Sequence, residues 1–226
     1  MLEVLKDRKQ ASLEAWLTAR GRAWCAAVEV CCADMWDAYH EAAQAHLPQA
    51  RLTVDRFHVM KNLNAAVTKA GRTIQKQADP ATQEVVKGGR WLLVKNAENL
   101  TAQEQLQLQT MLAVAPELKT CYKLKEAFRT WYNTALTRAE AEQALTDWLS
   151  QVAASGLKAL AAFTKTIANW RERILNYFEG RHTNGFAEGI NLKIKLINRR
   201  GFGYRNFTNF RLHVLVAFDP LSHSIW

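Results

Sequence analysis

Two short apolar segments, each followed closely by an aspartate, alternate with helical patterns near the start of the chain. Residues 24–32 are mostly apolar, predict a buried strand and precede Asp34, and residues 51–54 predict a second short strand and precede Asp55. A helical pattern at 35–46 lies between them, and another runs from about 57 to 76. This order predicts a parallel α/β unit. Polar residues at the carboxyl ends of such strands line the ligand crevice, so Asp34 and Asp55 are candidate site residues.

The middle of the chain has a different character. From residue 79 to 170 only helical patterns remain, near 81–96, 101–114, 117–134, 138–154 and 157–178. We therefore predict three parts: the first part of an α/β core at 1–78, an all-helical insertion at 79–170, and the C-terminal helices of the core at 171–226. The predicted fold class is α/β, and the chain is mostly helical.

A two-faced helix is predicted from Asn184, a good N-cap residue, to Arg200. One face is apolar, and the other is rich in amides and cations. The apolar stripe is Phe186, Ile190, Ile194 and Ile197, and the polar face is Asn184, Glu188, Asn191, Lys195 and Arg199. For an arbitrary helix a charged face is simply a solvated one. Here it continues into a tail in which cations alternate with aromatic rings, a combination that suits the backbone and bases of a nucleic acid.

The overall composition agrees with a polyanionic partner. The formal net charge is +9 and the isoelectric point is about 9.5. The four cysteines form no Cys-x-x-Cys pair, which excludes a zinc ribbon and favours buried thiols in a reducing, cytoplasmic compartment. No apolar run approaches the length that spans a membrane, and the first residues lack the apolar core of a secretory signal.

Asp34, Asp55 and Glu188 are the candidate carboxylates. Carboxylates brought together bind hard divalent ions, which activate a water or hydroxyl for attack on a phosphodiester. Capping offers a simpler explanation for both aspartates, because either could be the N-cap of the helix that follows it. His58 could be a surface residue in the first turn of its helix. It could instead pair with Asp55 and brace the site, or act as a base within reach of the substrate phosphate.

Four motifs in order resemble the ISL3 family of bacterial insertion-sequence transposases, in the DDE superfamily. They are Asp34-Met35-Trp36 with Tyr39, the segment from Val54 to Asn64, the segment from Thr183 to Lys195, and the segment from Arg199 to Phe207. The resemblance implies an RNase H-like catalytic fold interrupted by a helical insertion. It also implies DNA strand transfer with two Mg²⁺ or Mn²⁺ ions, transposon and target DNA as partners, and a homo-oligomer.

The resemblance also implies roles for individual residues. Asp34 matches the second catalytic carboxylate and Glu188 the third, and both would be metal ligands. Asp55 and His58 match the Asp-x-x-His signature, to which we assign a supporting role. The alternative is that Asp55 is the second metal ligand. The expected DNA contacts are Asn184, Asn191, Lys195, Arg199, Arg200 and Arg205.

One expected feature has no counterpart in the sequence. The family's first catalytic aspartate lies on an earlier strand, and none of the upstream acids (Glu3, Asp7, Glu14 and Glu29) has a fitting strand context. We therefore expect the C-terminal portion of a transposase, truncated at its N-terminus and crippled in strand transfer, and we leave open whether it is an enzyme. The alternative is a non-catalytic DNA-binding remnant that interacts or competes with full-length transposase. A purely structural helical protein would leave the Asp-x-x-His pattern unexplained.

Overall fold

The computed structural model describes residues 3–134 and 136–219. Within them the chain forms two strands, twelve α-helices and three short 3-10 turns. In order these are α1 (Gln10–Arg20), α2 (Arg22–Ala26), β1 (Val30–Ala33), α3 (Asp37–His46), β2 (Arg51–Val54), α4 (Arg56–Gln77), α5 (Pro80–Val86), 3-10 turns at Gly89–Trp91 and Ala97–Asn99, α6 (Ala102–Val114), α7 (Pro116–Asn133), α8 (Arg138–Ala154), a 3-10 turn at Lys158–Leu160, α9 (Ala161–Leu175), α10 (Tyr177–Gly180), α11 (Gly185–Arg200) and α12 (Phe207–Ala217).

The chain divides into two compact units. The first is built from residues 1–53 and 182–226, and the second from residues 54–181. Strands β1 and β2 form a two-stranded parallel sheet, with α3 as the connection between them. The prediction of an α/β chain that is mostly helical is confirmed. The three-part division at residues 78 and 170 stays a prediction. In the described part of the chain, no helix combines the length and apolar character that crossing a bilayer requires.

The first unit has a small core between α1, α2 and α3. Leu17, Cys25, Ala43 and Leu47 are buried together there, and Trp16 and Trp24 meet edge to face at 5.5 Å between ring centroids. Far along the chain, the Arg211 guanidinium in α12 donates two hydrogen bonds of 2.6 Å to the Glu3 carboxylate. This bidentate pair ties the beginning of the unit to its last helix.

The predicted strand at residues 24–32 is wrong in its first half and in its burial. Residues Arg22–Ala26 form α2, and the strand begins only at Val30. A helical turn packs Trp24 against Trp16 and Cys25 against Leu17, which an extended segment with alternating side chains could not do at once. The strand is half-buried rather than fully buried, since β2 is its only partner among the described residues.

The second unit has a much larger core, arranged around α4. Val59, Leu63 and Val67 recur at helical spacing on its buried side, and α4 packs on α7 and α9. Phe128 of α7 lies at the centre of the aromatic part of this core. Its ring is 4.8 to 5.5 Å, centroid to centroid, from four other rings, namely Trp131, Tyr132, Trp148 and Phe163.

Two indole N–H groups and one lysine of this core have partners that fix the packing. The indole N–H of Trp131 donates to the Ala141 carbonyl, and that of Trp148 donates to the Leu124 carbonyl, each at 2.9 Å. Lys125 is buried as well, with its ammonium 2.5 Å from a Glu126 carboxylate oxygen. Burial is the main cause that lowers the pKa of Lys125.

Removing the central ring tests this description of the core. We expect Phe128→Ala to lower the free energy of unfolding of the second unit by about 3–5 kcal/mol, because it leaves a cavity among four rings. Leu106→Ala is the control, since Leu106 is 66% exposed and its truncation should change stability by less than about 0.5 kcal/mol. Urea unfolding followed by tryptophan fluorescence measures both. Equal, small changes would show that Phe128 is not packed as described.

Candidate metal and nucleic-acid site

One side of α11 carries a carboxylate near its beginning and cations near its end. Helical spacing places Glu188, Asn191, Lys195 and Arg199 on the same face. None of the sixteen residues of α11, all of which the structure describes, is buried. With a rise of about 1.5 Å per residue, the axial distance from Glu188 to Arg199 is roughly 16 Å. The helix therefore presents two opposite charges in line on an accessible surface.

Glu188 lies in the first turn of α11, where the helix dipole favours a negative charge. Its backbone N–H donates to the Asn184 carbonyl at 2.8 Å. Among the described residues its carboxylate makes no hydrogen bond or ion pair. Asn184 is the N-cap residue of α11, as predicted, but its side chain makes no capping hydrogen bond. A carboxylate that makes no hydrogen bond or ion pair among the described residues is available to a hard metal ion.

Asp34 follows β1 directly but is not a helix cap. Trp36, in extended conformation, is the N-cap residue of α3, so capping does not explain the aspartate. The backbone carbonyl of Asp34 accepts from the Trp36 N–H at 2.8 Å, and Nε2 of the buried His40 lies 3.0 Å from the same oxygen. These contacts fix the main chain from which the Asp34 side chain projects.

Arg8 is a neighbour of Asp34 that the sequence did not reveal. Its guanidinium lies over the rings of Trp36 and Tyr39, at 5.6 and 5.8 Å from their centroids, and Nε donates to the Tyr39 hydroxyl at 3.3 Å. The Tyr39 hydrogen bond raises the pKa of Arg8, and the Asp34 charge adds to that effect. The sequence does contain a signal for a cation here, although not for which cation. The spacing Asp34-x-Trp36-x-x-Tyr39 presents two rings next to a carboxylate.

Asp55 and His58 belong to the second unit, at the beginning of α4. Asp55 is the N-cap, and its Oδ1 accepts from the Phe57 N–H at 3.4 Å. It is only 3% exposed, and its Oδ2 has no hydrogen-bond partner among the described residues. A carboxylate oxygen of Asp55 and a ring nitrogen of His58 lie within 4.8 Å of each other. The pair thus offers oxygen and nitrogen donors that fit a divalent transition-metal ion such as Mn²⁺.

The cations near the end of α11 differ in what they contact. Lys193 donates to the Ala217 carbonyl at 2.7 Å, and its ammonium lies 4.5 Å from the Phe218 ring centroid. Arg211 is paired with Glu3, so both of these cations are structural. The exposed ones are the cations predicted to contact DNA, namely Lys195, Arg199, Arg200 and Arg205. Asn191 is also exposed, whereas Asn184 is half-buried.

The comparisons with known proteins identify the family. The sequence profile of a transposase family, the ISL3 group of DDE transposases, matches residues 1–214. The chain belongs to the ISL3 family of transposases. It is 33% identical over 189 residues to the transposase for insertion sequence element IS1001 of Bordetella parapertussis. It is 30% identical over 121 residues to the transposase for insertion sequence element IS1557 of Mycobacterium tuberculosis.

These ISL3 relatives are longer than the present chain. The first match covers 82% of this chain but 46% of the relative, and the second covers 54% of this chain and 27% of the relative. The chain therefore spans less than half the length of the curated relatives that it matches. No solved structure matches it significantly.

The Oδ2 atom of Asp55, which has no hydrogen-bond partner among the described residues, leads to a prediction about stability. Without divalent metal, Asp55→Asn should raise the free energy of unfolding of the second unit by roughly 1–3 kcal/mol, because it removes a buried charge whose Oδ2 has no hydrogen-bond partner among the described residues and keeps the Oδ1 cap. Urea unfolding with and without Mn²⁺ measures the effect. Added Mn²⁺ should stabilise the wild type more than the variant.

A matched cap serves as the control for that experiment. Asp79 caps α5 on the surface, accepting from the N–H groups of Ala81 and Thr82 at 3.0 Å. Asp79→Asn should leave stability nearly unchanged, because Asn and Asp cap about equally well. If Asp55→Asn destabilises the protein without metal, the Asp55 carboxylate is satisfied in solution and the prediction is wrong.

Proposed function

We propose that this chain contributes to metal-dependent cleavage and strand transfer of DNA, with Asp34 and Glu188 as metal ligands and with α11 as part of the DNA-binding surface. The observation that carries this proposal is the polar face of α11. One helix holds, in line, a row of exposed cations and a carboxylate that makes no ion pair among the described residues. A phosphodiester substrate requires both, because its scissile phosphate needs metal ions and its neighbouring phosphates attract cations.

The metal part of the proposal rests on ligand chemistry. Carboxylate oxygens are the ligands that Mg²⁺ prefers, and Mn²⁺ accepts them together with imidazole. Such ions, when bound, activate the attacking oxygen and stabilise the leaving oxygen of the phosphodiester. Asp34 and Glu188 would hold an ion and fix its position, and Asp55 and His58 would support the site. The Oδ2 of Asp55, which is buried and has no hydrogen-bond partner in the part of the chain that the structure describes, also favours the alternative in which Asp55 is itself a ligand.

The fold part of the proposal is that the first unit carries part of an RNase H-like core. A β–α–β connection with parallel strands supports it, and an aspartate follows each strand directly. In such sheets the ends of the strands are where ligands bind. His40 supports the same assignment, because its contact with the Asp34 carbonyl fixes the chain at the end of β1.

The DNA part of the proposal rests on charge. No Asp or Glu occurs between Glu188 and Asp219, whereas six Lys and Arg residues do. Two of the six are occupied by structural contacts, as described above. The other four, Lys195, Arg199, Arg200 and Arg205, are exposed cations that phosphate groups can reach.

A second candidate function is DNA binding without catalysis, as a protein that interacts or competes with full-length transposase. The specific observation that favours it is Arg8, a fixed cation whose field reaches Asp34. A neighbouring positive charge disfavours a divalent cation at the same carboxylate. DNA binding by the exposed cations requires no metal at all.

The first test removes the charge of Glu188 while keeping its size. We expect Glu188→Gln to abolish Mn²⁺-dependent nicking of supercoiled plasmid and to weaken Mn²⁺ binding, measured by the electron paramagnetic resonance of free Mn²⁺. Stability should be unchanged, because the carboxylate has no protein partner among the described residues. The control is Glu117→Gln, which removes an exposed acid from the first turn of α7.

The outcomes of this test separate the candidates. A fully active, folded Glu188→Gln variant would exclude Glu188 as a ligand. A wild type that binds DNA in a salt-dependent way but never cleaves it with Mn²⁺ would select the second candidate. Asp34→Asn and Asp55→Asn, measured side by side, identify the second ligand as the residue whose change weakens Mn²⁺ binding.

The second test concerns the cations that bind phosphate. Arg199→Ala combined with Arg200→Ala should weaken DNA binding and reduce the slope of log K against log salt by roughly 0.9 for each phosphate that the protein no longer neutralises. The matched control is Lys119→Ala with Lys123→Ala, which removes two exposed cations one turn apart on α7. Fluorescence anisotropy of labelled duplex DNA over a salt series measures both. Equal slopes for the two double variants would place the DNA away from the end of α11.

A further inference from the structure

The turn between α11 and α12 presents one aromatic side chain entirely to solvent. The relative exposed area of Phe202 is 101%, the highest among the large hydrophobic residues that the structure describes. Its backbone has a φ of 51°, in the left-handed region that a bulky residue rarely adopts. Both features are unfavourable in a free protein, because the ring buries nothing and the backbone is strained.

The turn that carries this ring is well fixed. The N–H groups of Phe202 and Gly203 donate to the carbonyls of Arg199 and Asn198, at 3.1 and 2.9 Å. Gly201 leaves room for the Tyr204 ring, because a Cβ there would lie 2.6 Å from a ring carbon. Tyr204 in turn contacts the rings of Phe210 and His213. The neighbouring aromatics are thus packed, and Phe202 is not.

Cations surround this ring in the sequence and are exposed like it. Arg199 and Arg200 end α11 just before the turn, and Arg205 follows three residues after Phe202. An uncharged ring cannot bind phosphate, so its own partner must be a flat or apolar group. A polyanion that also offers flat groups is a nucleic acid, in which bases stack on aromatic rings while cations bind the backbone.

We propose that Phe202 stacks on an unpaired or unstacked base of bound DNA, while the neighbouring arginines bind its phosphates. This inference rests on the proposed DNA binding and adds a role that binding of phosphates does not require. Aromatic and apolar side chains that enter DNA in this way hold a base out of the helix or wedge open a base step. The left-handed backbone at residue 202 aims the ring outward, away from the packed aromatics of its own unit.

The test uses short duplexes that are either fully paired or carry one unpaired fluorescent aminopurine. Phe202→Ala should weaken binding to the duplex with the unpaired base by about 5- to 100-fold and should abolish quenching of the aminopurine. Affinity for the fully paired duplex and the salt slope should stay within about twofold, because the phosphate contacts remain. Phe202→Tyr should behave like the wild type.

The control is Phe186→Ala, because Phe186 is also a strongly exposed phenylalanine, at 81%, but lies at the other end of α11. It should change neither affinity nor quenching. Single-stranded DNA distinguishes a base that is already free from one that the protein must unstack. If Phe202→Ala weakens binding to the duplex with the unpaired base more than it weakens binding to single-stranded DNA, the ring acts as a wedge. If it weakens both equally, the ring only stacks on the base.

Two results would overturn the inference in distinguishable ways. If wild type and Phe202→Ala bind the unpaired-base duplex equally well, with salt slopes that still depend on Arg199 and Arg200, the stacking role is wrong and the proposed DNA binding stands. If the wild type binds no DNA, both are wrong. Loss of self-association in Phe202→Ala, with DNA binding unchanged, would show that the ring contacts protein instead.

Discussion

The exposed polar face of α11 is the constraint on which the proposed chemistry of the first unit depends. Helices in proteins are usually stabilised by burying an apolar face, yet α11 buries no residue fully. Its apolar positions Ile190 and Ile194 are half-buried, and Lys193 ties the helix to α12. This arrangement holds the helix while Glu188 and the exposed cations remain accessible to ions and phosphates.

The two units differ in how much core they have, and the difference matches the division of roles. The largest fully buried side chains, among them Phe128, Tyr132 and Phe163, all belong to the second unit. The first unit has the small core around Leu17 and carries the exposed charges. Segments with few buried contacts open at low cost, a property typical of ligand-binding surfaces. Stability is therefore concentrated away from most of the candidate site residues.

Periodic patterns in the sequence predicted the fold well where one period dominates. The helices from Ala102 onward and α11 lie close to their predicted bounds, because long apolar stripes determine them. The apolar run from Trp24 led to a wrong strand prediction, because short apolar segments suit helix and strand equally. Packing of Trp24 on Trp16 decided in favour of a helix. The position of Arg8 over two rings could not be read from sequence, because it depends on how distant segments meet.

The candidate metal and DNA functions are physically separable although they share one helix. The axial distance from Glu188 is about 10 Å to Lys195 and roughly 16 Å to Arg199, and both exceed the screening length of about 8 Å at physiological ionic strength. The field of the cations is therefore weak at the carboxylate, and the carboxylate does little to the phosphate affinity of the cations. A chain without the proposed metal site would keep the proposed DNA-binding surface. The proposed stacking of Phe202 on a base needs no metal, so it does not depend on catalysis.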